Sequence, residues 1–268
     1  MGMTRPAPAD RGEPAEGLLS PATRPLAAVI VAACVGTTAL LGALLGHGAH
    51  TDPVDTAVDS AVRASVSGHP KLLELLARPG DQPAIVGIAA VLVLACLLRR
   101  RYRGAALVAI SIPAAAVITE RLIKPLVGRT SLGFLSFPSG HATGTFALAT
   151  AVTVLLAGAP ALPRALRLAA VVIAFAIASV VAAAMIALGF HYFTDAIAGA
   201  AVGIGTVLAT ALLIDLAVQA WRRSGQRPPP AAGAEDRTGV TSAEGIATPT
   251  ADAAKPSALP HQHVPAKG

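Results

Sequence analysis

The chain has 268 residues, of which 54% are hydrophobic and only 13% charged, and its formal net charge at pH 7 is +6. A composition this apolar excludes an ordinary water-soluble domain, whose surface has to face water. It predicts a polytopic membrane protein. The basic residues are dispersed over several connections and form no single stripe, so the positive charge does not indicate a nucleic-acid partner either.

Six apolar runs are long enough to cross a bilayer. They cover residues 25–46, 82–98, 105–122, 141–158, 168–188 and 196–218. The sequence therefore predicts an all-α fold with six transmembrane helices. The predicted organisation is an N-terminal tail over 1–24, a six-span membrane domain over 25–218, and a C-terminal tail over 219–268. The last segment is rich in Pro, Ala, Gly, Ser and Thr, which predicts disorder.

Arginines collect in connections that a six-span chain places on one membrane face. They lie before the first span, between the second and third, between the fourth and fifth, and after the sixth. Because arginine-rich connections stay in the cytoplasm, this pattern predicts a multi-pass protein of the plasma (inner) membrane with both termini cytoplasmic. The connection at 47–81 is then an outer loop.

Three polar segments, far apart in the sequence, meet at the outer face in this topology. They run from Glu120 to Arg129, from Ser136 to His141 and from His191 to Asp195. Each alone has an ordinary explanation, as an interfacial anchor, a snorkelling cation or a serine-capped helix start. Their convergence on one face favours a site.

The first two segments suit an anion. Ser139, Gly140 and His141 precede or open the fourth span, and the unpaired N–H groups of a helix N-terminus attract phosphate. Gly140 lets the backbone approach a ligand closely. Lys124 and Arg129 add fixed positive charge, and the guanidinium group matches phosphate oxygens.

The third segment supplies a reactive side chain. His191 and Asp195 are four residues apart, so on a helix they share one face. The carboxylate can then hold one imidazole nitrogen while the other nitrogen faces the site. This arrangement is typical of a nucleophilic or basic histidine.

Lys124, the run from Phe137 to His141, and the pair His191 and Asp195 resemble the three signature segments of the type 2 phosphatidic acid phosphatase family. This family contains the membrane relatives of vanadium haloperoxidases. The resemblance covers about residues 50–215 of the sequence. It implies a six-helix membrane fold with the site at the outer ends of helices three to six.

The resemblance also implies a metal-independent mechanism without any other cofactor. His191 would attack phosphorus, Asp195 would orient His191, and His141 would protonate the leaving oxygen. The residues expected to hold the phosphate oxygens are Lys124, Arg129, Ser139 and Gly140.

Two arginines of the family pattern are missing from their positions. Ser131-Leu132 stands where the family has Arg-Pro, and Ala184-Met185 stands where it has Ser-Arg. The loss of one preorganised donor costs about 10² to 10³ in rate. Arg129 is the first candidate substitute, and Arg121 is the second.

Two hypotheses follow. The first is an integral membrane phosphatase that hydrolyses a lipid phosphate or polyprenyl diphosphate through a phosphohistidine. The second is a catalytically degenerate relative that binds anionic lipid headgroups or supports a membrane complex. Retention of both histidines and Asp195 favours the first.

A transporter is a weaker third hypothesis, because no span carries paired charges at mid-depth. The expected partners are the lipid substrate and membrane lipids, while the particular lipid and a homo-oligomer stay open.

Overall fold

The computed structural model describes residues 17–46, 52–66 and 68–225. Most of these residues are helical, and a single short hairpin is present in the described part. The beginning of the predicted N-terminal tail lies outside the described residues. So does the predicted C-terminal tail from residue 226 onward, with its predicted disorder.

Nine α-helices occupy the described ranges. They are α1 (Arg24–Leu45), α2 (Pro53–Val66), α3 (Pro70–Ala77), α4 (Gln82–Leu98), α5 (Tyr102–Val117), α6 (Lys124–Val127), α7 (Gly140–Ala157), α8 (Arg164–Ala187) and α9 (Phe193–Gly225). A 3-10 turn, Arg78–Gly80, joins α3 to α4, and a π-helical segment, Ile118–Ile123, joins α5 to α6. Strands β1 (Thr130–Ser131) and β2 (Phe134–Leu135) pair antiparallel.

Five helical stretches of the described chain are long and apolar enough to cross a membrane. They are α1, the continuous stretch from α5 to α6, α7, α8 and α9. The sixth is a bent pair, in which Pro70–Gly80 and Gln82–Leu98 meet at 42°. The prediction of an all-α polytopic membrane protein is confirmed. The second predicted span corresponds to α4, and α3 with the 3-10 turn precedes it across the bend.

The structure differs from the predicted elements in the ends of two spans and in the presence of two further helices. The third span runs on to Val127 because the π-helical segment continues the helix. Helix α9 extends to Gly225, so the first residues of the predicted C-terminal tail are helical. The predicted outer loop contains α2 and α3, which are too short and too polar for a search based on membrane-length apolar runs to find.

The last part of the predicted N-terminal tail is fixed to α9. Asp215 is buried and accepts hydrogen bonds from the backbone amides of Leu18 at 2.8 Å and Leu19 at 3.0 Å. Arg24 forms an ion pair with the same carboxylate at 3.3 Å. Residues 17–24 therefore pack on the membrane domain and do not form a separate tail.

Helices α7 and α9 cross at close range in the centre of the fold. A Cβ atom at Gly199 would lie 2.4 Å from the carbonyl oxygen of Ser139, and one at Gly203 would lie 2.4 Å from that of Thr143. Small residues four apart allow this approach in membrane helices. The amide of Ser139 donates to the carbonyl of Asp195 at 2.9 Å, so the two helices begin side by side.

The apolar core lies around this helix pair. Its fully buried members come from α5, α7 and α9 and include Leu107, Val108, Ala147, Ala151 and Val207. The outer faces of α1, α4 and α8 expose large apolar side chains. This distribution is expected of helices that face lipid, where an apolar surface needs no cover.

Candidate active site

The N-terminus of α7 forms one wall of the candidate site. Ser139 is fully buried and caps the helix, because its hydroxyl accepts a hydrogen bond from the Ala142 amide at 3.4 Å. Gly140 and His141 follow in the first turn, whose N–H groups have no partner within the helix. The structure thus places Ser139, Gly140 and His141 at the predicted anion-binding helix end.

Lys124, the first residue of α6, reaches the same place. Its Nζ atom lies 2.8 Å from Oε1 of Glu120. A Cβ atom at Gly140 would lie 2.9 Å from that same oxygen. The Glu120 carboxylate therefore occupies the space between Lys124 and the start of α7, where a phosphate oxygen was expected.

Two histidine rings face each other across the site. The centroids of the His141 and His191 rings are 6.4 Å apart and the ring planes are inclined by 58°. Nε2 of His141 lies 3.2 Å from Oδ1 of Asp81, at the start of α4. A carboxylate only accepts, so Nε2 of His141 carries a proton in this contact.

The hydrogen bond of His191 is made to the backbone. Its Nδ1 atom lies 2.9 Å from the carbonyl oxygen of Ser136, so Nδ1 donates and Nε2 holds the lone pair. Oδ2 of Asp195 is 3.8 Å from Nδ1, which is an ion-pair distance and too long for a hydrogen bond. The expected hydrogen-bonding partner of His191 was Asp195, whereas the structure gives that place to Ser136.

Arg129 lies in a different place from the one its expected role requires. Its side chain is fully buried between two carboxylates, with Nη1 2.7 Å from Asp195 Oδ1 and Nη2 2.6 Å from Asp55 Oδ2. Nη1 also donates to the Thr194 hydroxyl at 2.7 Å, and the guanidinium carbon lies 4.2 Å from the centre of the Tyr192 ring. Both terminal nitrogens of Arg129 are therefore bonded to protein groups.

The turn before Arg129 explains this placement. Gly128 ends α6 with φ +66°, a left-handed conformation that glycine adopts without strain. The chain then enters β1, and the Arg129 side chain reaches the N-terminal end of α9. Arg121, the second candidate substitute, lies on the π-helical segment with an exposed side chain.

Sequence reasoning missed two buried acids on α2. Asp55 accepts from the Thr194 amide at 2.8 Å, and Asp59 accepts from the Phe193 amide at 3.1 Å. Together they cap the N-terminal end of α9. Burial raises the pKa of the Asp59 carboxyl, and the bond from the Phe193 amide partly opposes that rise. Their four-residue spacing was the available signal, but acids in an outer loop are usually solvated.

At both positions where the family has an arginine, this chain has a residue whose side chain contacts other parts of the protein. Met185 is buried in an apolar cluster with Ala184, Leu73 and Ala77, so α3 covers it. Ser131 donates its hydroxyl proton to the Gly189 carbonyl at 3.1 Å. An arginine introduced at position 185 would meet apolar side chains of α3.

The part of the chain that carries these side chains matches a known family. Residues 119–218 match the model of the PAP2 superfamily. The similarity to the PAP2 superfamily therefore concerns this segment of the chain. It begins in the π-helical segment and ends within α9, and it therefore includes Lys124, Ser139 to His141, and His191 to Asp195. The match to the PAP2 superfamily supports a phosphatase at the level of the family.

Among solved structures, this chain is similar to the first transmembrane PAP2 type phosphatidylglycerolphosphate phosphatase from Bacillus subtilis. The sequences are 19% identical and the TM-score is 0.49. The match covers 75% of this chain and 98% of that one. Comparison with curated proteins gives no significant match.

Proposed function

We propose that this protein is an integral membrane phosphatase that hydrolyses a lipid phosphate or an isoprenoid diphosphate at the outer face of the plasma (inner) membrane. One observation carries the proposal. His141, whose ring centre is 6.4 Å from that of His191, lies at the polar end of an otherwise apolar cavity. The cavity can therefore hold an apolar chain while a phosphate group lies beside the histidines at its polar end.

The cavity has a volume of about 620 Å³ and lies between α4 and α5. Glu120, Gly140 and His141 form its polar end, while the apolar residues come from the two helices. On α4 it extends from Gln82 to Val93, which corresponds to about 16 Å of helix. That is roughly half of the 30 Å hydrocarbon core. An apolar chain from one leaflet fits this depth while its phosphate lies at the histidines.

In the proposed reaction, the Nε2 lone pair of His191 attacks phosphorus. The bond between phosphorus and the leaving oxygen breaks, and His141 gives that oxygen a proton. Water then attacks phosphorus and breaks the P–N bond, while His141 takes a proton from the water. Inorganic phosphate leaves and His191 is restored. The scheme has no step that needs a metal or another cofactor.

Lys124 and the N-terminus of α7, with Gly140 and Ser139, are proposed to hold the phosphate oxygens. The Glu120 carboxylate would be displaced by the substrate, because it lies against Lys124 and beside Gly140. The same placement favours the alternative function, a relative without turnover. In that alternative the protein would bind anionic headgroups or support a membrane complex, and Glu120 would keep the site closed to catalysis.

The role of the cavity is tested by narrowing it. Ala89→Phe places a large side chain in the cavity, whereas Ile88→Phe changes the adjacent residue, which is exposed and does not line it. We expect Ala89→Phe to lower turnover of a long-chain lipid phosphate about tenfold or more, because the chain loses its binding volume. Turnover of a short soluble phosphate ester should change little in the same variant.

Hydrolysis of both substrates by purified variants in detergent micelles measures this effect. Ile88→Phe should behave like the wild type on either substrate. Equal losses on long and short substrates, or no loss on the long one, would contradict a lipid chain in the cavity.

The proposed orientation puts both termini in the cytoplasm and the site outside. Ser60 on α2 and Ser224 on α9 are exposed residues on opposite sides of this arrangement. In a variant without Cys34 and Cys96, Ser60→Cys should react with an impermeant thiol reagent in intact cells, and Ser224→Cys should react only after permeabilisation. The reverse labelling pattern would place the site in the cytoplasm.

A further inference from the structure

A buried charge network joins α2 to the N-terminal end of α9. Asp55, Arg129 and Asp195 all have 0% exposed side chains, and Arg129 bonds to both acids through different nitrogens. We propose that Asp55 is a positioning residue for the reaction of His191, acting through Arg129 and Asp195. This inference rests on the proposed phosphatase function, and nothing in the family pattern assigns a role to Asp55.

Asp55 is connected to His191 through two intervening residues, Arg129 and Asp195. Nη2 of Arg129 lies 2.6 Å from Asp55, while Nη1 lies 2.7 Å from Oδ1 of Asp195. The other oxygen of Asp195 accepts from the Tyr192 amide at 3.1 Å and lies 3.8 Å from Nδ1 of His191. Because the guanidinium fork is planar and rigid, Asp55 fixes the plane in which Arg129 meets Asp195.

Thr194 reinforces the same arrangement. Its hydroxyl lies 2.9 Å from Asp55 Oδ2 and 2.7 Å from Arg129 Nη1, and its amide donates to Asp55 Oδ1 at 2.8 Å. Thr194 thus contacts both Asp55 and Arg129, and it directly precedes Asp195 in the chain. A shift of Asp55 would be transmitted to the first turn of α9.

The net charge of the network can affect the proposed reaction of His191. Two ionised carboxylates and one guanidinium leave the network with one net negative charge. His191 becomes positively charged when its Nε2 is phosphorylated and its Nδ1 stays protonated, and a nearby negative charge favours that state. Without the charge of Asp55, Arg129 would neutralise Asp195, and the support of Asp195 for the charged ring would fall.

The chain supplies a matched control for Asp55. Asp59 lies on the same buried face of α2 and caps α9 through the Phe193 amide at 3.1 Å. It also lies 3.9 Å from Arg63, whose side chain is half exposed. Asp55 and Asp59 therefore share their helix, burial and capping role. What distinguishes Asp55 is its short bond to the arginine that holds Asp195.

The test compares Asp55→Asn, Asp59→Asn, Asp195→Asn and the double variant Asp55→Asn/Asp195→Asn with the wild type. Each is purified as the full chain, and phosphate release from phosphatidate in mixed micelles gives kcat and KM. We expect Asp55→Asn to lower kcat about tenfold with KM within about twofold, because the ground-state contacts of the substrate are unchanged. Asp59→Asn should stay within about twofold of the wild type in kcat, since it leaves the Arg129 contacts in place.

The double variant separates positioning from mere stability. If Asp55 acts through Asp195, the double variant should be no slower than Asp195→Asn alone, because coupled residues are not additive. If Asp55→Asn does not fold, Thr194→Val removes the bridging hydroxyl with little change in volume and should lower kcat severalfold. Its unchanged kcat would then overturn the inference.

Two other results would also overturn it. Equal losses in Asp55→Asn and Asp59→Asn would mean that Asp55 only caps α9, and independent losses in the double variant would mean that Asp55 does not act through Asp195. A wild type that releases no phosphate from any lipid phosphate would overturn the proposed function, and this inference with it. An active wild type with the wrong variant pattern would overturn the inference alone.

Discussion

Replacing His191 with alanine is expected to abolish turnover and to leave the protein folded. In the proposed reaction, Nε2 of His191 is the atom that displaces the lipid oxygen from phosphorus, so no partial reaction should remain without it. Rapid quenching with ³²P-labelled phosphatidate should show an acid-labile phosphoprotein in the wild type and none in His191→Ala. The thermal unfolding of both proteins in detergent checks that the fold is intact.

Two other histidines control this experiment. His141→Ala should still form the phosphoprotein, but slowly, and its defect should be smallest for substrates with good leaving groups, because these need little protonation. His69 lies at the start of α3 with an exposed side chain, and His69→Ala should behave like the wild type. Full activity in His191→Ala would remove the phosphohistidine mechanism.

Replacing Arg129 with alanine is expected to have the second largest effect, on both stability and rate. The change leaves Asp55 and Asp195 buried without the guanidinium that lies between them. Removal of one partner from a buried ion pair destabilises a protein by about 3–5 kcal/mol. We expect a loss of about 10² or more in kcat as well, because Asp195 would no longer be held. Arg129→Lys should recover only part, since an ammonium group cannot bond to both acids in the same plane.

Arg63 is the matched control for Arg129. It is an arginine near a carboxylate at the same end of the fold, but its side chain is half exposed and 3.9 Å from Asp59. Arg63→Ala should therefore cost less than about 1 kcal/mol in unfolding free energy. Chemical unfolding in micelles and steady-state kinetics measure both variants. If Arg129→Ala lowered kcat but kept its stability, Arg129 would act on the phosphate, as the sequence predicts, and its place between the two acids would be contradicted.

The sequence was sufficient for the general architecture and for the residues near the start of α7. Long apolar runs are a local property, and they indicate the membrane helices. The predicted ends are least accurate for the third and sixth spans, which continue to Val127 and Gly225. The spacing of Ser139, Gly140 and His141 is also local, and it identified a helix N-terminus. The convergence of these residues with His191 followed from the topology, because helix ends on one membrane face must lie near each other.

The side-chain partners could not be predicted in the same way. Asp55 and Arg129 are 74 residues apart in the chain, and no periodic pattern relates a short amphipathic helix to an arginine after α6. The sequence predicts a phosphate-binding role for Arg129 from its charge and from the missing family arginine two residues later, whereas in the structure Arg129 is paired with two acids. The sequence likewise predicts Glu120 only as part of a polar segment, whereas its contact with Lys124 and its position beside Gly140 depend on the tertiary structure.

The most direct test of the central claim is phosphate release by the purified wild type. Phosphatidate, phosphatidylglycerophosphate and a polyprenyl diphosphate are supplied in separate mixed-micelle assays, each with and without a metal chelator and each with His191→Ala as the blank. The proposed function predicts that at least one substrate releases inorganic phosphate above the blank and that the chelator has no effect. No release from any of the three, with headgroup binding retained, would identify the protein as a relative without turnover.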